Sequence, residues 1–267
     1  MLPRACCLVV WLCCVGCHTL VVEGADPETA TAGELWEKGQ AAMRAGQPAR
    51  AVGYYEQSLQ ADPAFTRNHL SLAAAHLENG DDEAACAHLG LYVVDHPEHV
   101  LVRGQYAELL LKLKRVEAAR DELARLVADE QDKGHEALNE MIHCHSRLVE
   151  IAEDQEDDYA AHLHRGIGLC LLARQRAGLD DPDGQLPVEG LLCRSASELA
   201  VARMLRPGEA RPYWYLYTVW SRLGQKDSAR SCLRQAAAAA PFTNLTPAEQ
   251  RSLMLACQSR QAERPGR

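Results

Sequence analysis

From residue 32 to residue 131 the apolar and polar positions recur with helical period, and the blocks they form are themselves repeated. Small residues stand in phase at Gly39, Ala73 and Ala107, and again at Ala51, Ala85 and Ala119. Large apolar residues follow at Tyr55, Leu89 and Leu123, each set spaced by 34 residues. Pro63 and Pro97 close the first two blocks at the same interval, where a ring without an N–H ends a helix. Near the other end, Gly224, Ala229, Leu233 and Pro241 keep the internal offsets of Gly46, Ala51, Tyr55 and Pro63. Each block therefore reads as two helices. Gly46 and Gly80 suit the left-handed turn after the first, and Asp81 and Asp82 suit the start of the second.

The small and large positions have a common purpose. A small residue lets two helices of a hairpin approach closely, and the large one fills the space beside it. This 34-residue pattern resembles the tetratricopeptide repeat, a helix–turn–helix unit. The resemblance covers residues 32–131 and 193–241, and it implies an all-α, right-handed solenoid of helical hairpins.

Between those blocks the pattern drifts. A helix is predicted over 134–152, with Leu138, Met141, Ile142, Leu148, Val149 and Ile151 on one broad face. The acidic run 153–158 then makes a turn, and a second helix runs from Tyr159 to about Arg176, so that 132–177 reads as a divergent hairpin. Gly166 on that helix looks like the small position of a first helix. Its partner is expected only near Ser195, where Ser195, Leu199, Ala202 and Pro207 restore the usual offsets. Residues 178–192, rich in Asp, Pro and Gly, thus read as a loop insertion, and helix 134–152 as an extra helix or half of a degenerate repeat. After Pro241, the stretch 242–267 opens with Thr246-Pro247-Ala248-Glu249, a capping box that starts a polar-faced closing helix.

Composition agrees with a helical chain: 47% apolar, 24% charged and only 5% aromatic residues. Basic residues number 28 against 37 acidic ones, a formal net charge of −9, and no basic stripe is present. That balance argues against nucleic acid as a partner. Eleven cysteines suggest a disulfide framework until their placement is read. Cys6, Cys7, Cys13, Cys14 and Cys17 lie near the N-terminus, and the other six are scattered singly, as small thiols buried between helices would be.

The N-terminus reads as an export signal. Arg4 is followed by an apolar or thiol-bearing run from Ala5 to Cys17, the length of a signal-peptide core and too short for a comfortable membrane span. Cys14-Val15-Gly16-Cys17 resembles the lipobox of bacterial lipoproteins, with Cys14 where Leu is usual. The resemblance implies that the signal segment 1–17 is cut just before Cys17, which carries the lipid, leaving 18–31 as a tether and the protein in the cell envelope. Ordinary cleavage near Val22–Ala25, giving a periplasmic or secreted protein, and an uncleaved anchor are the alternatives.

Candidate chemistry is sparse. His145 and His164 lie on neighbouring helices at a spacing that brings them opposite each other; without metal-ligand spacing around them they read as packing or surface residues, with a metal as the alternative. Asp181-Pro182-Asp183-Gly184 fails as a calcium loop, because Leu179 and Gly190 fall where carboxylates are required. No nucleophile elbow, phosphate loop or dinucleotide fingerprint occurs, and no cofactor is implied. What remains is a groove. In the repeat family the first helices line a concave face, and the resemblance maps ligand-contacting positions onto Trp36, Gln40, Met43 and Arg44, then Arg67, Leu70, Ala74 and Leu77. It adds Glu108, Leu111 and Lys112 from the third block, and Arg211, Trp214, Thr218 and Arg222 from the last. Trp36 and Gln40 replace the Lys and Asn of the family's chaperone-tail clamp. The implied function is a non-catalytic scaffold that binds a protein or peptide; a metal- or small-molecule-binding accessory of an envelope enzyme is the alternative.

Intact mass of the mature chain distinguishes the export readings. A mass beginning at Cys17 plus lipid is expected; one beginning at Ala25 or Asp26 without lipid would refute the anchor.

Overall fold

A computed structural model describes residues 30–128, 135–178 and 187–262. The export segment 1–17 with Cys17, the tether as far as residue 29, and the segment 179–186 lie outside the described residues. Those residues form helices without strands. Three hairpins come first: α1 (Ala32–Arg44) with α2 (Pro48–Ala61), α3 (Arg67–Glu78) with α4 (Asp82–Asp95), and α5 (Val100–Lys112) with α6 (Val116–Ala128). Then come α7 (His135–Asp154), α8 (Asp158–Ala177), α9 (Val188–Leu205), α10 (Ala210–Arg222), α11 (Lys226–Ala239) and α12 (Pro247–Ala262). Each helix packs on its neighbours in the chain, and the product is an α-solenoid. No helix among the described residues is long and apolar enough to cross a membrane.

One turn recurs inside the hairpins. A residue with positive φ follows α1, α3, α5, α7 and α10: Gly46, Gly80, Lys114, Glu156 and Gly224. In each case the next N–H reaches back to a carbonyl in the helix just ended: Gln47 to Ala42, Asp81 to His76, Arg115 to Leu110, Asp157 to Ala152 and Gln225 to Trp220, all at 2.8–2.9 Å. These bonds satisfy carbonyls that a helix end leaves without partners. The side chains of Asp81 and Asp157 then cap the following helix, accepting from the N–H groups of Ala84 and Ala160 at 3.1 Å.

The small positions act as expected. An added Cβ at Gly39 would stand 2.3 Å from the Tyr55 ring, which is wholly buried. One at Gly166 would stand 2.7 Å from Leu199 Cγ, so α9 seats on α8 as α2 seats on α1. Ser195, at the position of Ala51, donates to the carbonyl of Gly166 at 2.7 Å. Beneath these contacts a continuous core runs from Leu138 and Ile167 through Leu199 and Trp214 to Leu253.

The middle of the chain settles one alternative and needs two corrections. Of the two readings of α7, half of a repeat holds and an extra helix does not, because it ends in the same turn as α1, α3 and α5 and packs on α8. Its last turn takes in Glu153 and Asp154, so the acidic run turns only at residues 155–157. The loop insertion is also shorter than 178–192: α9 begins at Val188, since Leu191 and Leu192 are buried and draw that stretch into the core. Helix α8 consequently belongs to two hairpins. Its His164 and Gly168 face His145 of α7, while His162, Arg165 and Gly166 meet Glu198 and Leu199 of α9.

At the C-terminal end, Thr246 and Glu249 exchange both bonds of the capping box, at 2.7 and 3.1 Å. The closing helix is less polar than its sequence suggested, for Met254 and Leu255 are exposed. Of the scattered cysteines, Cys86, Cys144, Cys170 and Cys232 are buried, Cys257 is half-buried and Cys193 is exposed. Burial pushes the Cys144 thiol up to about 12.

Replacing Gly39 or Gly166 by Ala should cost about 1–3 kcal/mol by overpacking. Gly53→Ala, with open space around its Cβ inside α2, should instead stabilise by about 0.5–1 kcal/mol. Urea denaturation measures all three, and equal effects at the three glycines would contradict the packing described.

Candidate functional site

The first-helix positions mapped from the sequence fall into three groups. At the N-terminal end, Trp36 is tied into the structure: its Nε1 donates to Ser71 Oγ at 2.9 Å, Phe65 meets it edge-on, and the Arg67 guanidinium lies 5.3 Å above its ring. Met43 and Leu70 pack partly buried against neighbouring cores, Gln40 is half-buried, and Arg44 is exposed at the end of α1. In the middle, Glu108 accepts both Arg147 nitrogens at 2.8 and 2.6 Å and also faces His143. This fork geometry is the strong form of a carboxylate–guanidinium pair, and it occupies the charge of both partners. Lys112 pairs with Asp82 at 2.5 Å. Glu108, Lys112 and Arg147 line a cleft of about 430 Å³, and their charges are thus already engaged.

The C-terminal group differs. Trp214, Thr218 and Arg222 of α10 line an open groove of about 440 Å³, walled on one side by Cys170, Leu171 and Arg174 of α8. The other wall is α12, through Arg251, Ser252 and Leu255. Trp214 and Tyr215 are nearly buried and form an apolar floor. Arg174, Arg222 and Arg251 are exposed around it, and none has a hydrogen bond or ion pair among the described residues. Arg211, also mapped from the sequence, is held instead by Glu249 at 3.0 Å and the Asn244 carbonyl at 2.9 Å.

The walls on α8 and α12 escaped the sequence mapping, yet a signal for one of them was present. Leu171 stands five residues after Gly166, as Arg44 stands five after Gly39 and Arg222 five after Tyr217. The long segment before α9 hid that equivalence. On α12, Leu255 lines the groove, which accounts for part of the apolar surface on the closing helix.

The histidines expected to meet do so. His145 Nδ1 and His164 Nδ1 lie 3.0 Å apart, and the same place in the α3–α4 hairpin holds His69 and His88 with their Nδ1 atoms 3.1 Å apart. The α5–α6 hairpin holds the buried pair Arg103–Glu122 there. One polar partnership thus recurs at the waist of three hairpins. Among the described residues no third His, Cys or carboxylate converges with His145 and His164. Burial holds the imidazole of His164 down to about 4, with Arg211 adding to the effect and Asp157 opposing it. His145 is lowered well below its ordinary value, first by burial and then by His164 and Arg211.

Residues 42–96 match the tetratricopeptide repeat family. The solved structure of YrrB, described as a tetratricopeptide-repeat protein with an unusual peptide-binding site, is 15% identical with a TM-score of 0.33, over 85% of this chain and 92% of that one. PilF of Pseudomonas aeruginosa is 16% identical with a TM-score of 0.38, over 83% and 96% of the two chains. MamA is 15% identical with a TM-score of 0.38, over 78% and 91%. No curated protein sequence matches the chain.

The histidine pair imposes a pH dependence whose sign follows from its burial. In the unfolded chain both imidazoles take up protons near their ordinary 6.5, whereas folded His164 stays neutral to about 4. Stability is therefore intact above 6.5 and is lost as pH falls through the window from 6.5 toward 4. His145→Leu/His164→Leu should lose less stability than wild type between pH 7.5 and pH 5 in urea titrations. An unchanged difference would show that the pair stays solvated.

Proposed function

We propose that the protein is a non-catalytic scaffold that holds an acidic peptide segment of a partner protein in the groove between α8, α10 and α12. The observation behind this reading is the set of three exposed arginines, Arg174, Arg222 and Arg251, around the Trp214–Tyr215 floor. Of the other mapped charges, Glu108 is committed to Arg147, Lys112 to Asp82 and Arg211 to Glu249, whereas Arg67 lies over the Trp36 ring and Arg44 is a single exposed cation at the end of α1. Arginine forks suit carboxylates, and an aromatic floor beside them supplies the buried anchor that interfaces concentrate their energy on. The overall charge of −9 does not oppose this, because screening confines the field to about 8 Å at physiological ionic strength. The tetratricopeptide-repeat match over residues 42–96 supports protein binding as the general class.

We further propose that the scaffold works outside the cytoplasm, in the cell envelope, held by a lipid on Cys17. The support is the apolar run from Ala5 and the Cys14–Cys17 sequence, with ordinary cleavage near Val22–Ala25 as the competing outcome.

A fluorescein-labelled peptide rich in Asp and Glu serves as probe. Arg174→Ala/Arg222→Ala should weaken its binding by roughly tenfold or more, and affinity should fall as salt rises. The melting curve should stay as in wild type, since both side chains are exposed. Equal binding by the double variant, or binding indifferent to salt, would contradict the proposed groove.

A further inference from the structure

The corner between α4 and α5 contains His96-Pro97-Glu98-His99. His96 closes α4, its N–H donating to the Tyr92 carbonyl at 3.0 Å. Proline prevents the helix from continuing, and the N–H of His99 then returns to the carbonyl of His96 at 3.2 Å. This tight turn stacks the two imidazoles, with centroids 5.2 Å apart and planes within 13°. Glu98 lies between their inner nitrogens: its Oε1 is 3.5 Å from His96 Nδ1 and 3.6 Å from His99 Nε2.

Each outer nitrogen has a hydroxyl partner. Thr66, on the preceding corner between α2 and α3, lies 3.0 Å from His96 Nε2, and Tyr92 OH lies 2.7 Å from His99 Nδ1. The hydroxyls hold both rings by their outer nitrogens and leave His96 Nδ1 and His99 Nε2 beside Glu98. This is how ligating histidines are held in known metal sites, by a hydrogen bond to the nitrogen that does not bind the metal.

We propose that His96, Glu98 and His99 form a binding site for a divalent transition-metal ion, with zinc the ion that fits. The three ligand atoms lie within 4.8 Å of one another. Bonds of about 2.0–2.1 Å in a tetrahedron place ligands about 3.3 Å apart, so the two Glu98 spacings need a few tenths of an ångström of closure, and the two imidazole nitrogens, within 4.8 Å of each other, must close by up to about 1.5 Å through rotation of the rings. Two imidazoles and one carboxylate suit zinc, and suit calcium or magnesium poorly. The exposed side of Glu98 and His99 leaves the fourth position to water or to a side chain of another molecule. Bound metal would tie α4 to α5 where two repeats join and, through Thr66, engage the preceding corner as well. The site is independent of the groove at the C-terminal end, and neither stands or falls with the other.

The test is zinc titration of the full, reduced chain by calorimetry. His96→Ala/His99→Ala should bind one equivalent fewer than wild type with an unchanged circular dichroism spectrum. Should that variant lose helical content, Glu98→Gln, at an exposed position, should weaken the same equivalent by at least about tenfold. Tyr92→Phe keeps the buried ring and removes only the hydroxyl on His99, so it should retain the equivalent with roughly tenfold weaker affinity. Zinc-edge absorption of the difference site should show nitrogen and oxygen neighbours without sulfur. Equal stoichiometry and affinity in wild type, the double variant and Glu98→Gln would overturn the proposal, as would a sulfur shell at the difference site.

Discussion

The whole architecture depends on how closely helix α8 can approach two partners at once. In an ordinary hairpin one small residue suffices, as Gly39 shows by admitting the Tyr55 ring where a Cβ would collide with it. Helix α8 admits Leu199 of α9 at Gly166 and lies against His145 of α7 at His164 and Gly168. It therefore completes the hairpin begun by α7 and begins the one completed by α9. That double role moves α8 to the side occupied by first helices, and this in turn makes α8, α10 and α12 the walls of a single groove. The scaffold's binding surface is thus a consequence of a packing constraint in the middle of the chain.

The repeated blocks were legible because steric requirements leave few residue choices. Gly39, Ala73 and Ala107 cannot be large, Tyr55, Leu89 and Leu123 cannot be small, and the turn glycines Gly46, Gly80 and Gly224 have positive φ. The same turn at Lys114 and Glu156 was not legible, because either side chain is ordinary in a helix. The start of α9 was misplaced for a related reason. Val188, Leu191 and Leu192 follow directly on an Asp-, Pro- and Gly-rich stretch whose composition dominated the reading.

The candidate site was legible in half. Trp214 and Arg222 follow from the repeat register, whereas Arg174 and Arg251 come from helices whose registers were obscured by the insertion and by the closing role of α12. Sequence also could not show which charges are already committed. Glu108, Lys112 and Arg211 look like their uncommitted neighbours until their partners Arg147, Asp82 and Glu249 are placed beside them. The recurring waist pairs were hidden likewise, since His69–His88, Arg103–Glu122 and His145–His164 share a location and no common chemistry.

Amide hydrogen exchange in the native state tests the shared role of α8 most directly. A helix enclosed by α7 and α9, with α10 beyond, can expose its amides only when the surrounding helices open together. The amides of α8 from Ala161 to Ala173 should be the slowest to exchange in the chain, and those of α1 and α12, which have a partner on one side, among the fastest. Exchange in α8 as rapid as in α1 would contradict its membership of two hairpins, and with it the groove that rests on that membership.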